Sequence, residues 1–362
     1  MTHLKKRLPL LLVLLIPAFV YTSWHLKKAE SFTLWNALDH YGYTRLDQKM
    51  ALDYLLHEAG VIAKDQSFQK RFPQRKDKNE ALQDIIEFVQ LTQKYFLLRS
   101  GTQERWEVPP AEWMKTPKPE TTDALKKLGV LEEILPKNKN PDVICILGAT
   151  LKSMIVRMNF LADLYNTQQI KTKQLVLLAG QRKATIGADG TEEELSQIAQ
   201  KQGLTSLEKL TETQLIQNAY QNSTLYNKLP THVIDTPAGN LPRPTTETTT
   251  LEFIKWLKQH PEVKSVVFVS NQPFVNYQKA VITEVFESAN FVIEFEVIGS
   301  ATADRLNIQK LVESVGSTIW AKTPQVLRAM DFKITEGKAR DAFKELYSNN
   351  PLIYQNVGNL AQ

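Results

Sequence analysis

The sequence predicts an α/β fold built on a mostly parallel sheet with flanking helices. Two observations carry that expectation. From about residue 142, short β-rich runs alternate with helical stretches. Several of those runs, such as "LVLLA", are apolar without interruption, as strands covered on both faces must be.

The strands and helices read in order. "DVICIL" leads into the helix "KSMIVRMNFLADLY", and "QLVLLA" into "TEEELSQIAQKQ" and "TETQLIQNAYQN". "THVID" precedes "TTETTTLEFIKWLKQ", "SVVFVS" precedes "FVNYQKAVITEVFES", and "FVIEFEVIG" precedes "DRLNIQKLVESV". This alternation defines a Rossmann-like α/β domain over 141–320, followed by a C-terminal helical tail over 321–362.

Upstream, residues 30–140 read as a helical region and a proline-rich connector. "TRLDQKMALDYLLHEAG" places Leu46, Met50 and Tyr54 on one helical face, which Ala51 and Leu55 widen before Gly60 stops the helix. "NEALQDIIEFVQLTQKYFLL" repeats the spacing through Leu82, Ile85, Ile86, Val89 and Phe96. The prolines at 109, 110, 117, 119 and 136 make the connector irregular, apart from one short helix in "TTDALKKLGVLEEI".

Residues 1–29 read as one N-terminal transmembrane helix. Lys5, Lys6 and Arg7 precede an uncharged stretch from Leu8 to Trp24. As a helix, those roughly 17 residues span about 25 Å, close to the apolar thickness of a bilayer. Small residues suited to signal cleavage are missing at Tyr21-Thr22-Ser23, which favours an uncleaved anchor over a signal peptide. The expected setting is an inner membrane, with the body of the chain outside the cytoplasm.

Charge and cysteine content bound the function. The 362 residues carry a net charge of +5, part of it in "KDQSFQKRFPQRKDK". A solvated face explains that cluster. The alternative is an anionic surface, but no nucleic-acid-binding motif is present and no nucleic acid is expected as a partner. Cys145 is the single cysteine and lies in an apolar run, where it acts as a small hydrophobe.

Ligands of an open parallel sheet bind beyond the carboxyl ends of its strands. The first strand ends in Gly148-Ala149-Thr150, the second in Gly180-Gln181-Arg182, and the fourth in Ser270-Asn271-Gln272. The third ends at Asp235 and runs into "AGNLPRPTTE". Arg157, Arg182 and Arg243 all follow strand ends, where they suit a phosphate or carboxylate. The competing reading pairs each arginine with a local carboxylate such as Glu192, Glu193 or Glu247. These acids open helices, so capping explains them as well as chemistry does.

The predicted ligand-binding set is Gly148, Thr150, Arg157, Gly180, Arg182, Glu193, Arg243, Thr245, Ser270 and Asn271, with Glu247 as general base or hydroxyl ligand. The expected partner is a small anionic, phosphate-bearing molecule. No P-loop, dinucleotide fingerprint, nucleophile elbow or zinc spacing is present, so the cofactor is unknown and no metal site is expected. Ser300 in "VIGSATADR" reads as a turn residue, with a nucleophile as the alternative.

Residues 142–288 resemble the bacterial domain-of-unknown-function family that includes SanA, YdcF and ElyC. "ILGAT" with Arg157, "LLAGQR", the acidic helix start "TEEEL", "PTTET" with Thr245 and Glu247, and "FVSNQPFVNYQKA" match its short motifs in order. Three positions depart. Gln181 replaces a second glycine, Pro244 an asparagine, and Phe274 lies near the place of a histidine. The resemblance implies a Rossmann-like fold, anchoring in the inner membrane, and a link to envelope integrity or lipid-carrier metabolism. One relative is associated with S-adenosylmethionine. It leaves two functions open: binding, with or without turnover, of a phosphate-bearing or nucleotide-like molecule, or a non-catalytic envelope scaffold.

Overall fold

Why five apolar runs become one sheet is visible in their registers. In the computed structural model, which describes residues 31–98, 107–303, 305, 307–332, 341 and 343–345, they form β1 (Val143–Leu147), β2 (Gln174–Gly180), β3 (Thr231–Thr236), β4 (Ser265–Asn271) and β5 (Glu294–Ser300). All pairings are parallel, in the order β3-β2-β1-β4-β5. The chain winds outward from β1 to β3, then returns to place β4 beside β1. That reversal opens a crevice at the carboxyl ends of β1 and β4. Strand β1 is buried along its whole length, and Cys145 within it is fully covered, which pushes its thiol pKa up. Strand β3, at the edge, alternates covered and exposed residues.

Two helical layers cover the sheet. One face packs on α7 (Leu151–Asn166), α8 (Glu192–Lys201) and α9 (Glu212–Gln221), through Ile144, Ile146, Leu175 and Leu177. The other packs on α10 (Thr246–Lys258) and α11 (Val275–Ser288), through Val143, Cys145, Val176 and Phe268. Period-two alternation thus sends successive β1 residues into different cores.

A third core belongs to the region before the sheet. It unites α1 (Leu34–His40), α2 (Leu46–Glu58), α3 (Phe68–Arg71), α4 (Lys78–Thr92) with its π-helical extension Gln93–Leu97, α5 (Glu112–Lys115) and α6 (Pro119–Lys127). Helix α12 (Ile308–Ala329) completes it with Leu311, Val312, Val315 and Ile319. Because α12 is one continuous helix, the boundary expected at residues 320 and 321 falls inside it. Its other side joins the sheet layer: Gln325 donates to the Ala280 carbonyl at 2.8 Å, and Arg328 grips Glu284 with two nitrogens at 2.9 and 2.6 Å.

Two helices differ from expectation. In α2 the buried face is Ala51, Leu52, Leu55 and Leu56, whereas Leu46 and Met50 are 69% and 52% exposed. Two apolar stripes overlap in that helix, and packing against α6 selects the one containing Leu52 and Leu56. The connector helix starts earlier than expected, at Pro119, and ends before Gly129, whose φ of +74° suits glycine. The membrane anchor expected at 1–29 lies outside the described residues. Among the described residues, no helix is long and apolar enough to cross a membrane.

Gly299 shows how tightly β4 and β5 close on α11. A Cβ there would lie 2.7 Å from Val275 Cγ2 and 2.9 Å from the Ser270 carbonyl atoms. Gly299→Ala should therefore lower stability by about 1–3 kcal/mol, measured by chemical denaturation. An unchanged midpoint would show that the strand can shift freely.

Candidate functional site

A cavity of 330 Å³ opens at the carboxyl ends of β1 and β2. Its floor is Leu147, Gly148 and Leu178. Helix α7 contributes its N-cap Thr150, Ser153 and Arg157. The loop after β3 and the start of α10 contribute Arg243, Pro244, Thr245, Thr246 and Thr249. Phe274, Tyr277 and Gln278 from the start of α11, Lys310 from α12, Arg182 and Glu212 close the walls. The amino ends of α7, α10 and α11 all border this space, where unpaired N–H groups and positive dipole ends favour an anion.

Arg157 is the most buried of the cationic groups, at 1% exposure. Its Nε donates to Asn271 Oδ1 at 2.8 Å, and Nη1 to the carbonyls of Leu147 and Gly148 at 2.7 and 2.9 Å. Among the described residues no carboxylate pairs with it directly, and Nη2 has no protein acceptor. Burial pulls its pKa down to about 10, with Glu212 opposing, so it stays charged at neutral pH. Asn271 therefore acts from behind the cavity: it aims Arg157 and anchors itself by donating to the Gln272 carbonyl at 3.0 Å.

Arg182 is engaged differently. It grips Asp189 with two nitrogens at 2.9 and 3.0 Å, and donates from Nε to Glu212 Oε2 at 3.0 Å. It also reaches the Ala149 carbonyl at 3.1 Å. Burial alone would depress its pKa, but its bonds to Asp189 and the charges of Glu212 and Asp189 outweigh that and raise it. The competing reading of local pairing is correct for this arginine, although its partners are not the acids expected. Arg243 is exposed at the cavity mouth.

Glu212 is the acid that faces the cavity, in place of Glu247. It opens α9, and burial raises its pKa while Arg182, Arg157 and Arg243 pull it down incompletely. Gly148 makes room for it: a Cβ at that position would lie 2.1 Å from Glu212 Oε1. Gly180 is required by a different neighbour, since a Cβ there would come within 2.5 Å of Pro244 Cβ.

Of the predicted set, the cavity collects Gly148, Thr150, Arg157, Arg182, Arg243 and Thr245. Gly180, Ser270 and Asn271 lie behind it; Ser270 Oγ bonds Gln278 Oε1. Glu193 is exposed on the first turn of α8, where Thr191 and Glu194 form the capping box, and it does not line the cavity. Glu247 does not line the cavity and does not cap α10; Thr245 and Thr248 do that. Its side chain is buried with Oε1 unpartnered among the described residues, and burial together with Glu284 lifts its pKa to about 8. Asp235 is structural, accepting from Thr213 Oγ1 at 2.5 Å and from Gln181 Nε2 at 2.9 Å. Gln181 thus ties β3 to the rim.

Sequence reasoning missed Glu212, Asp189, Tyr277, Gln278 and Lys310. A signal existed for the first: "TETQL" is a second hydroxyl-and-acid helix start after the same strand. Among the described residues, no cluster of three or more histidine, cysteine, aspartate or glutamate side chains could hold a metal ion.

Two expectations follow. Arg182→Ala should cost about 3–5 kcal/mol, because it leaves two buried carboxylates unpaired; a denaturation midpoint equal to that of the parent chain would contradict this. Glu247 has a folded pKa of about 8 above a reference of 4.5, so folding favours its protonated form. Stability should be intact near pH 4 and fall as pH rises from about 4.5 to about 8. Glu247→Gln, which cannot ionise, should match the parent near pH 4 and exceed it by on the order of 2 kcal/mol near pH 8, read from unfolding at both pH values. Comparison with protein-family models finds no match for this chain, and comparison with curated proteins finds none either.

Proposed function

We propose that the rim cavity binds a small phosphate-bearing or nucleotide-like molecule, and that the chain does so as a membrane-anchored envelope protein. The observation that carries this is Arg157: a buried guanidinium on the cavity wall, with no carboxylate partner among the described residues and Nη2 still available. A buried cation left uncompensated is costly, and an oxyanion would compensate it. The rest of the wall agrees in sign. Arg157, Arg243 and Lys310 line it, and the carboxylate among its described lining residues, Glu212, is held by Arg182.

The roles divide by geometry. Arg157 supplies the deep contact, Arg243 and Lys310 the contacts at the mouth. Arg182 holds the frame, since its donors are already taken. The hydroxyls of Ser153 and Thr246 suit the remaining phosphate oxygens, since those of Thr150 and Thr249 donate to Ser153 and to the Thr246 carbonyl, and Phe274 and Tyr277 suit a flat or apolar remainder. The volume sits at the small end of ligand sites, enough for a phosphate and a modest substituent. Glu247 has no part in this reading, because it does not line the cavity. The membrane setting rests on the apolar stretch Leu8–Trp24 and on the family resemblance.

A thermal-shift series on the full chain, with nucleoside monophosphates, prenyl phosphates and S-adenosylmethionine, tests the reading. Phosphate-bearing compounds should stabilise the chain. Arg243→Ala combined with Lys310→Ala should weaken that binding by at least about tenfold. No stabilisation by any phosphate-bearing compound at millimolar concentration would falsify it.

A further inference from the structure

An anion cavity with a carboxylate in its wall poses a problem of charge. Glu212 lies among Arg182, Arg157 and Arg243. Arg182 Nε holds Oε2 at 3.0 Å. Oε1 takes no donor among the described residues, and it lies against Gly148 on the cavity floor. The absence of a side chain at position 148 leaves that oxygen open to whatever enters.

An ionised carboxylate repels an oxyanion oxygen unless a proton lies between them. A buried acceptor left facing another acceptor also loses its desolvation cost without return. Inorganic phosphate can supply that proton, because near neutral pH both of its ions carry a P–OH, and a phosphate monoester supplies it as its monoanion. Sulfate cannot, as it is fully ionised. We propose that Glu212 makes this cavity selective for a protonated oxyanion, accepting a hydrogen bond from a phosphate P–OH at Oε1 and excluding sulfate-like anions. This rests on the anion-binding reading above and adds the class of anion it admits.

The surrounding charges fit a single shared proton. Arg182 from the loop after β2, Arg157 from α7 and Arg243 from the loop after β3 face Glu212. Asp189 is held by Arg182, and Asp235 of β3 is held by Thr213 and Gln181, so neither competes for the ligand. Burial raises the Glu212 pKa, so in acid the side chain takes a proton itself and becomes a donor. Sulfate should then be admitted.

Calorimetric titration of the full chain with inorganic phosphate and with sulfate decides the matter. Near neutral pH, phosphate should bind at least about tenfold more tightly than sulfate. As the pH is lowered and Glu212 takes up its proton, the gap should narrow as sulfate binding strengthens. In Glu212→Gln the ratio at neutral pH should fall to within about threefold, with sulfate binding gained. Equal affinities near neutral pH, or a ratio that Glu212→Gln leaves unchanged, would overturn the role of Glu212 while leaving the anion site standing. Failure of both anions to bind the parent chain would overturn the anion site itself, and this inference with it. Should Glu212→Gln not fold, the pH series on the parent chain still decides: a phosphate preference that persists unchanged into acid contradicts the shared proton.

Discussion

The guanidinium of Arg182 is the interaction on which the rim depends. It sits between Asp189 on one side and Glu212 on the other, and it touches the Ala149 carbonyl below. These contacts join the end of β1, the long loop after β2 and the first residue of α9. Asp189 extends the network by accepting from the backbone N–H of Leu151, at the start of α7, at 3.1 Å. The charges are buried, so each is tolerable only because the others are present. Removing any one exposes the rest to an uncompensated desolvation cost.

With that frame in place, the adjacent cation can serve another purpose. Arg157 reaches nearly the same region from α7, but it is held by carbonyls and by Asn271 rather than by a paired acid. Two arginines of equal sequence prominence therefore play opposite parts. One is neutralised and builds the walls. The other keeps its charge without a paired acid among the described residues. The two rim glycines follow the same logic of space: Gly148 yields to a carboxylate, and Gly180 yields to the Pro244 ring that closes the loop after β3.

Helix α12 couples this rim to the rest of the chain. Its Lys310 reaches the cavity, and its middle fills the core of the N-terminal helices. Its last turns lock α11 through Arg328 and Glu284. Tyr41 of the loop after α1 bonds Thr323 at 3.0 Å, and Lys322 donates to the Tyr41 carbonyl at 2.7 Å. The helical region is thus braced against the same element that borders the site. Any rotation of α12 would move a cavity wall and a core together.

Much of this was readable in the residue order. Alternating β-rich and helical runs dictated the α/β layers, and glycine, hydroxyl and arginine residues after the strands marked the rim. Six of the predicted residues line the cavity, because strand ends are set by local pattern and parallel pairing gathers them at one edge. What local pattern cannot state is which side of a helix docks, or which distant acid meets a given arginine. Glu247 turns inward toward α11, Leu46 and Met50 turn outward, and Glu212 arrives from beyond α8 to meet Arg182. Helical periodicity defines stripes without choosing among them, and charge pairing depends on distances through space. Those choices were made only when three cores closed against one another.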